Sequence, residues 1–152
     1  MPDAYKLHTD GGARGNPGPA GIGVVLESPE GEVLEAIGRG IGWSTNNAAE
    51  YEGLITGLQA ARHHGAAALD VFMDSTLVIE QMKGNYKVKH PGLLPLHARA
   101  RKLADEFDEI TFTAVPRSKN QQADRLSNRG MDDQASAGEP SRPDSAEQPE
   151  LF

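Results

Sequence analysis

The chain has 152 residues, 38% of them hydrophobic, a formal charge of -7 and no cysteine. That length suits one domain with a real core, and the absence of cysteine excludes disulfides and thiolate metal sites within this sequence. No apolar run approaches the roughly 20 residues of a membrane-spanning helix, and MPDAYKLH lacks the charged-then-apolar plan of a signal peptide, so a cytoplasmic monomer is the expectation.

The acidic balance is uneven. Residues 131–152 hold six acids and one base, leaving 14 bases against 16 acids in the body. If a few body acids converge on cations, the remaining surface is neutral to basic, so net charge leaves a nucleic-acid partner open.

In chain order, AYKLHTD (4–10) alternates as a strand and ends at a glycine-rich loop within TDGGARGNPGPAG (9–21). That loop has neither the GK[ST] tail of a P-loop nor a G-x-G-x-x-G opening a helix, and Pro17 and Pro19 oppose a helix start. GIGVVLES (21–28) and EVLEAIGRGIG (32–42) read as two further strands joined by a tight turn, hence a hairpin. Thr45 or Asn46 can then cap a helix whose apolar positions Tyr51, Leu54, Ile55, Leu58 and Ala61 follow helical spacing and which Gly65 closes.

ALDVFMD (68–74) suits a central parallel strand and leads into a short helix over 75–82. KGNYKVKHPG (83–92) is a basic, turn-rich loop. Residues 93–107 become helical after Pro95, EITFTAV (109–115) is a fifth strand, and KNQQADRLSNRG (119–130) is a last helix stopped by Gly130. The order predicts an α/β fold with a five-stranded mixed sheet, an antiparallel meander followed by parallel strands with crossover helices. The domain is expected over 1–130, with a disordered acidic tail over 131–152, where no large apolar residue follows Met131 until Leu151.

Four acids fall where one site could share them. Asp10 and Asp74 end two strands at their carboxyl ends, where ligands collect in such sheets; Glu50 borders the buried stripe of the first long helix, and Asp124 lies in the last helix. Singly, each has a structural explanation: Asp10 as a turn residue, Asp74-Ser75 as a helix cap, Glu50 at a helix N-terminus. Jointly, clustered carboxylates raise one another's pKa unless cations neutralise them. Oxygen ligands without cysteine point to Mg²⁺, with Mn²⁺ as a substitute, and a pair of such ions about 4 Å apart is the clamp used in phosphodiester cleavage.

TDGGARGNPGPAG, STNNAAEYEGL, FMDSTLVIEQ and VPRSKNQQADRLSN resemble, in order and spacing, the motifs of type I ribonucleases H, over residues 4–130. The resemblance implies a ribonuclease H-like fold with Asp10, Glu50, Asp74 and Asp124 as the catalytic carboxylates. It further implies Mg²⁺-dependent endonucleolytic cutting of the RNA strand of an RNA–DNA hybrid, leaving 3′-hydroxyl and 5′-phosphate ends. On that basis Asp10 is expected to bridge two ions, with Glu50 and Asp74 on one, Asp124 on the other, and the Gly11 carbonyl as a minor ligand. A non-catalytic hybrid-binding module, or another metal nuclease of the same superfold, is the alternative.

Hybrids are told from DNA by 2′-hydroxyls in a wide, shallow minor groove. Gly11, Gly12, Ala13, Asn16 and Gly18 offer a bare backbone surface for them, with Arg14 beside it. Thr45, Asn46, Asn47 and Ser75 are either helix caps or substrate contacts, Thr45 being a candidate for a DNA-strand phosphate. Lys87 and Lys89, beside Lys83 and Tyr86, are candidates for salt-sensitive phosphate steering. This loop is shorter than the basic protrusion of many family members. A second departure is VPRSKNQQAD, which lacks the histidine that many members carry before the last catalytic Asp; Arg117 or Lys119 could neutralise the product phosphate instead. The terminal QPELF resembles bacterial sliding-clamp-binding peptides, with Gln148, Leu151 and Phe152 as the docking residues.

Overall fold

The computed structural model describes residues 3–139; Gln148, Leu151 and Phe152 of QPELF lie outside the described residues. Five strands form one sheet: β1 Tyr5–Ala13, β2 Gly18–Glu27, β3 Val33–Ser44, β4 Ala68–Met73 and β5 Glu109–Ala114. Their spatial order is β3-β2-β1-β4-β5. β1, β2 and β3 pair antiparallel, while β4 lies parallel to β1 and β5 parallel to β4. The mixed five-stranded sheet expected from the sequence is therefore the observed one.

Four helices complete the domain: α1 Asn46–His63, α2 Thr76–Lys83, α3 Leu94–Ala104 and α4 Gln121–Ala137. The apolar stripe of α1 packs as its spacing requires, with Tyr51, Leu54, Ile55, Leu58 and Ala61 buried against Leu7, Val24 and Leu26 of the sheet. Leu54, Ile55 and Leu58 each contribute about 1.5–3 kcal/mol by burial. Successive residues of a strand face opposite sides. Ile22 accordingly meets α1 near Gly53, whereas Gly21 and Gly23 sit under the backbone of α4. The two long helices thus cover opposite faces of the sheet. No helix among the described residues is long and apolar enough to cross a membrane.

Two expectations need correction. The glycine stretch is less a loop than a continuation of strand: β1 does not end at Asp10 but runs to Ala13, and β2 begins at Gly18. The antiparallel ladder continues to Ala13 opposite Ala20, although the parallel pairing with β4 stops at His8 opposite Phe72. Asp10 and Asp74 each lie two residues beyond that last parallel pair, which places them side by side.

The last helix does not stop at Gly130. α4 passes through it to Ala137 and ends at Gly138, whose φ is +82°. A side chain at Gly130 would collide with the Arg39 backbone of β3, so this glycine permits close helix-to-sheet contact and is not a stop. Residues 131–137 are consequently helical, Met131 is buried, and α4 crosses the boundary expected at residue 130.

Candidate active site

A cleft of about 760 Å³ opens at the carboxyl edge of β1 and β4, and all four expected carboxylates, Asp10, Glu50, Asp74 and Asp124, line it. Each arrives from a different element. Asp10 is on β1, Asp74 follows β4, Glu50 lies in the second turn of α1, and Asp124 is in the first turn of α4. Thr45 caps α1 through its hydroxyl, which accepts from the Ala48 N–H. One turn beyond Glu50, Gly53 faces β1 so closely that a Cβ there would stand 2.6 Å from the Asp10 carbonyl oxygen. From the strand side, a Cβ on Gly11 would overlap the Ala49 carbonyl. These two glycines set how near the Glu50 helix comes to Asp10.

Carboxylate oxygens of Asp10, Glu50 and Asp74 lie within 4.8 Å of one another. Burial is the largest influence on all three and favours the protonated form. Asp10 is pushed up to about 7, raised further by Asp74 and opposed by a hydrogen bond from Ser127. Glu50 is pushed up to about 9, with Asp10 and Asp74 adding repulsion. Asp74 is raised as well, chiefly by burial, with Arg117 opposing the rise and Asp124 adding to it. The Gly11 N–H favours ionisation of both Asp10 and Glu50.

The Oε1 atom of Glu50 is buried with no hydrogen-bond partner among the described residues. An unsatisfied carboxylate oxygen beside two others is what a hard cation would complete, so this donor set fits Mg²⁺ or Mn²⁺.

Asp124 is not one of that group of three, although its side chain is near enough to raise both Asp10 and Asp74. Its Oδ1 accepts from two nitrogens of the Arg117 guanidinium, Nη2 at 2.9 Å and Nε at 3.3 Å. Arg117 begins the short 3-10 turn Arg117–Lys119, which leads from β5 towards α4.

Sequence reasoning missed two polar side chains that hold the site. Ser127 donates from Oγ to Asp10 Oδ2 at 2.8 Å and is fully buried. Asn120 is also buried and donates from Nδ2 to the Thr9 carbonyl at 3.0 Å, tying the start of α4 to β1. Ser127 lies three residues after Asp124, on the same helix face, and that spacing was its one available signal.

The expected substrate contacts divide into groups. Gly11, Gly12, Ala13, Arg14, Asn46 and Arg117 line the cleft. Asn46 links α1 to the glycine strand: its Oδ1 accepts from the Ala13 N–H at 2.8 Å, and its N–H donates to Asn16 Oδ1 at 2.9 Å. Arg14 pairs with Asp132 of α4. Asn16, Thr45 and Asn47 line a second cavity of about 400 Å³ together with His90 and Leu93. Ser75 caps α2 by accepting from the Val78 N–H, and its neighbour Thr76 reaches the main cleft. Lys87 and Lys89 are exposed and do not line the main cleft.

The family model described as "Reverse transcriptase-like" matches residues 8–130. A bifunctional protein of Mycobacterium tuberculosis is 52% identical over 127 residues, covering 83% of this chain and 35% of that protein. The chain thus spans about a third of the length of this relative. A ribonuclease HI of Halobacterium salinarum is 44% identical over 124 residues, covering 82% of this chain and 62% of that one. Among solved structures, the N-terminal RNase H domain of a Mycobacterium tuberculosis protein, fused to maltose-binding protein, superposes with a TM-score of 0.87 at 48% identity, covering 90% of this chain and 99% of that one. LC11-RNase H1 in complex with an RNA/DNA hybrid gives 0.80 at 42% identity, covering 85% and 97%.

Proposed function

From its membership of the ribonuclease H-like family, to which this chain belongs, we propose that the acidic cleft hydrolyses the RNA strand of RNA–DNA hybrids. Cutting is internal and leaves 3′-hydroxyl and 5′-phosphate ends. The observation that carries this reading is the convergence of Asp10, Glu50 and Asp74 within 4.8 Å at a sheet edge, with one buried Glu50 oxygen unsatisfied. A purely binding module gains nothing from three mutually repelling carboxylates.

The residues that would hold cations are Asp10, Glu50, Asp74 and Asp124, with the Gly11 carbonyl as a minor ligand; a bound pair of Mg²⁺ or Mn²⁺ ions would supply Lewis-acid stabilisation of the phosphate and of the attacking water. The chain's own contribution is positioning. Ser127 keeps Asp10 oriented and favours its ionised form. Asn120 fixes α4 against β1, so Asp124 faces the same cleft as Asp10. The hydrogen bonds from Ala13 to Asn46 and from Asn46 to Asn16 hold the glycine strand beside Glu50. Side chains are small at Gly11, Gly12 and Ala13, which allows a ribose to approach the backbone and present its 2′-hydroxyl. Arg14 in the cleft, Thr45 and Asn47 at the second cavity and Ser75 at the start of α2 would be further substrate contacts. Lys87 and Lys89 supply salt-sensitive attraction to phosphates from outside the cleft.

The test is cleavage of an end-labelled RNA–DNA hybrid with Mg²⁺, beside RNA–RNA and DNA–DNA controls. Wild type should cut the hybrid alone, and Asp10→Asn and Asp74→Asn should each abolish cutting. Undiminished cleavage by either variant, or none by wild type, would overturn the reading. For QPELF, its own resemblance to bacterial sliding-clamp-binding peptides supports a sliding clamp as partner; equal clamp capture with and without Leu151 and Phe152 would remove it.

A further inference from the structure

Asp124 is the carboxylate of the cleft that already has a cation. Both contacting nitrogens of Arg117 converge on its Oδ1, and the group of three formed by Asp10, Glu50 and Asp74 does not include it. The basic side chains lining the cleft are Arg14 and Arg117, and Arg14 is tied to Asp132 on the outer rim. Arg117 is therefore the basic side chain facing the carboxylates.

Its mounting is asymmetric. The backbone is anchored at both ends of the short turn, where the Lys119 N–H donates to the Pro116 carbonyl and the Asn120 N–H to the Arg117 carbonyl, both at 2.9 Å. The side chain, by contrast, is 73% exposed, against 23% for Asp124. A fixed base with a solvated head describes an arm that can leave its partner without unfolding anything.

We propose that Arg117 is a built-in counter-ion, which neutralises Asp124 in the cation-free protein through Oδ1 and competes with the second cation for that carboxylate. This rests on the ribonuclease reading of the cleft and adds an order of events to it. Asp10, Glu50 and Asp74, of which Asp10 is buried and the other two are half-buried, accept the first cation directly, because among the described residues no basic side chain is hydrogen-bonded to them. The second cation competes with the guanidinium for Asp124. Exposed ion pairs are weak, so the competition costs a small factor, roughly two- to fivefold in affinity. Once displaced, the planar guanidinium is free to fork onto a phosphate, for which its paired donors are well matched.

The experiment is a Mn²⁺ titration of the full-length, substrate-free chain followed by electron paramagnetic resonance, which counts bound ions without any turnover. In Arg117→Ala the weaker of two sites should tighten about two- to fivefold, with a smaller change at the stronger site. Placed in an Asp124→Asn background, the same substitution should leave Mn²⁺ binding unchanged. Equal tightening at both sites would assign Arg117 a diffuse electrostatic effect and overturn the proposal. So would an unaltered weak site, a single site in both proteins, or an effect that persists without Asp124. Absence of Mn²⁺ binding in every protein would remove the metal-dependent reading of the cleft itself, whereas two intact sites indifferent to Arg117 would remove the counter-ion alone.

Discussion

Replacing Asp10 by Asn should make the cation-free protein more stable, because folding buries this carboxyl where its charge is unwelcome. Its pKa rises from 3.8 to about 7 on folding. A group with a raised folded-state pKa gives stability below its unfolded value, and that stability is lost as pH climbs through the folded value. Between pH 4 and 7 wild type therefore loses, at 1.36 kcal/mol per pKa unit, at most about 4 kcal/mol. Asn keeps the shape and cannot ionise, but it stays buried beside Ser127, so a gain of about 2 kcal/mol is expected. Urea unfolding in the presence of a chelator is the assay, at pH 5 and at pH 8.5. The advantage of Asp10→Asn should be largest at pH 8.5, shrink at pH 5, and shrink at either pH when Mg²⁺ is added, since a cation stabilises only the form that binds it. An unchanged or lower stability of the variant at pH 8.5 in chelator would refute the reasoning, as would an advantage independent of pH.

Ser127→Ala removes a hydrogen bond to an ionised acceptor, worth about 1.5–3 kcal/mol or one to two pKa units. That bond lowers the Asp10 pKa, so its loss raises it, and the pH–rate profile at limiting Mg²⁺ should move to higher pH by about one unit; an unmoved or acid-shifted profile would count against the contact. Gly53→Ala sets two effects against each other. Helix propensity alone would stabilise by about 1 kcal/mol, but the new Cβ would stand 2.6 Å from the Asp10 carbonyl oxygen, and overpacking costs typically 1–3 kcal/mol. The melting temperature should fall and kcat should drop more than KM rises, whereas a raised melting temperature would show that α1 has room to spare.

The features legible in the sequence are those set by local pattern. The stripe from Tyr51 to Ala61 is a helix with the buried face its spacing specifies, and Thr45 and Ser75 are caps. The neighbourhood of Asp10 and Asp74 followed from placing both at the carboxyl ends of adjacent parallel strands, and the pairing of β1 with β4 supplies that adjacency. What escaped was long-range. Gly130 carries a local stop signal, yet its place is decided by the Arg39 backbone 91 positions away in sequence, which no window along α4 contains. From sequence, Gly11 and Gly12 leave room for a ribose; in the fold Gly11 is also room for α1, and Gly12 lies against Met131. Ser127 and Asn120 are ordinary polar residues of a helix and its cap until β1 comes within hydrogen-bonding distance.

The same glycines explain why the acidic cluster does not relax. Three carboxylates that repel one another would ordinarily splay into solvent, and the cheapest route would be for α1 to carry Glu50 away from β1. That route costs the contacts of an apolar stripe buried from Tyr51 to Ala61, several side chains at about 1.5–3 kcal/mol each, whereas taking up protons removes the repulsion without moving the helix. The helix stays, and Asp10 and Glu50 hold protons instead, Glu50 most of all. A cation arriving at neutral pH must therefore displace protons as well as water, so its apparent affinity rises with pH through the range in which Asp10 and Glu50 ionise. Asp124 follows a different rule, because its competitor is the Arg117 guanidinium, which keeps its charge throughout that range. The first cation should thus be strongly dependent on pH and the second much less so, a difference that follows from burying the Asp10 and Glu50 carboxyls where β1 meets α1 and setting Asp124 beside an arginine.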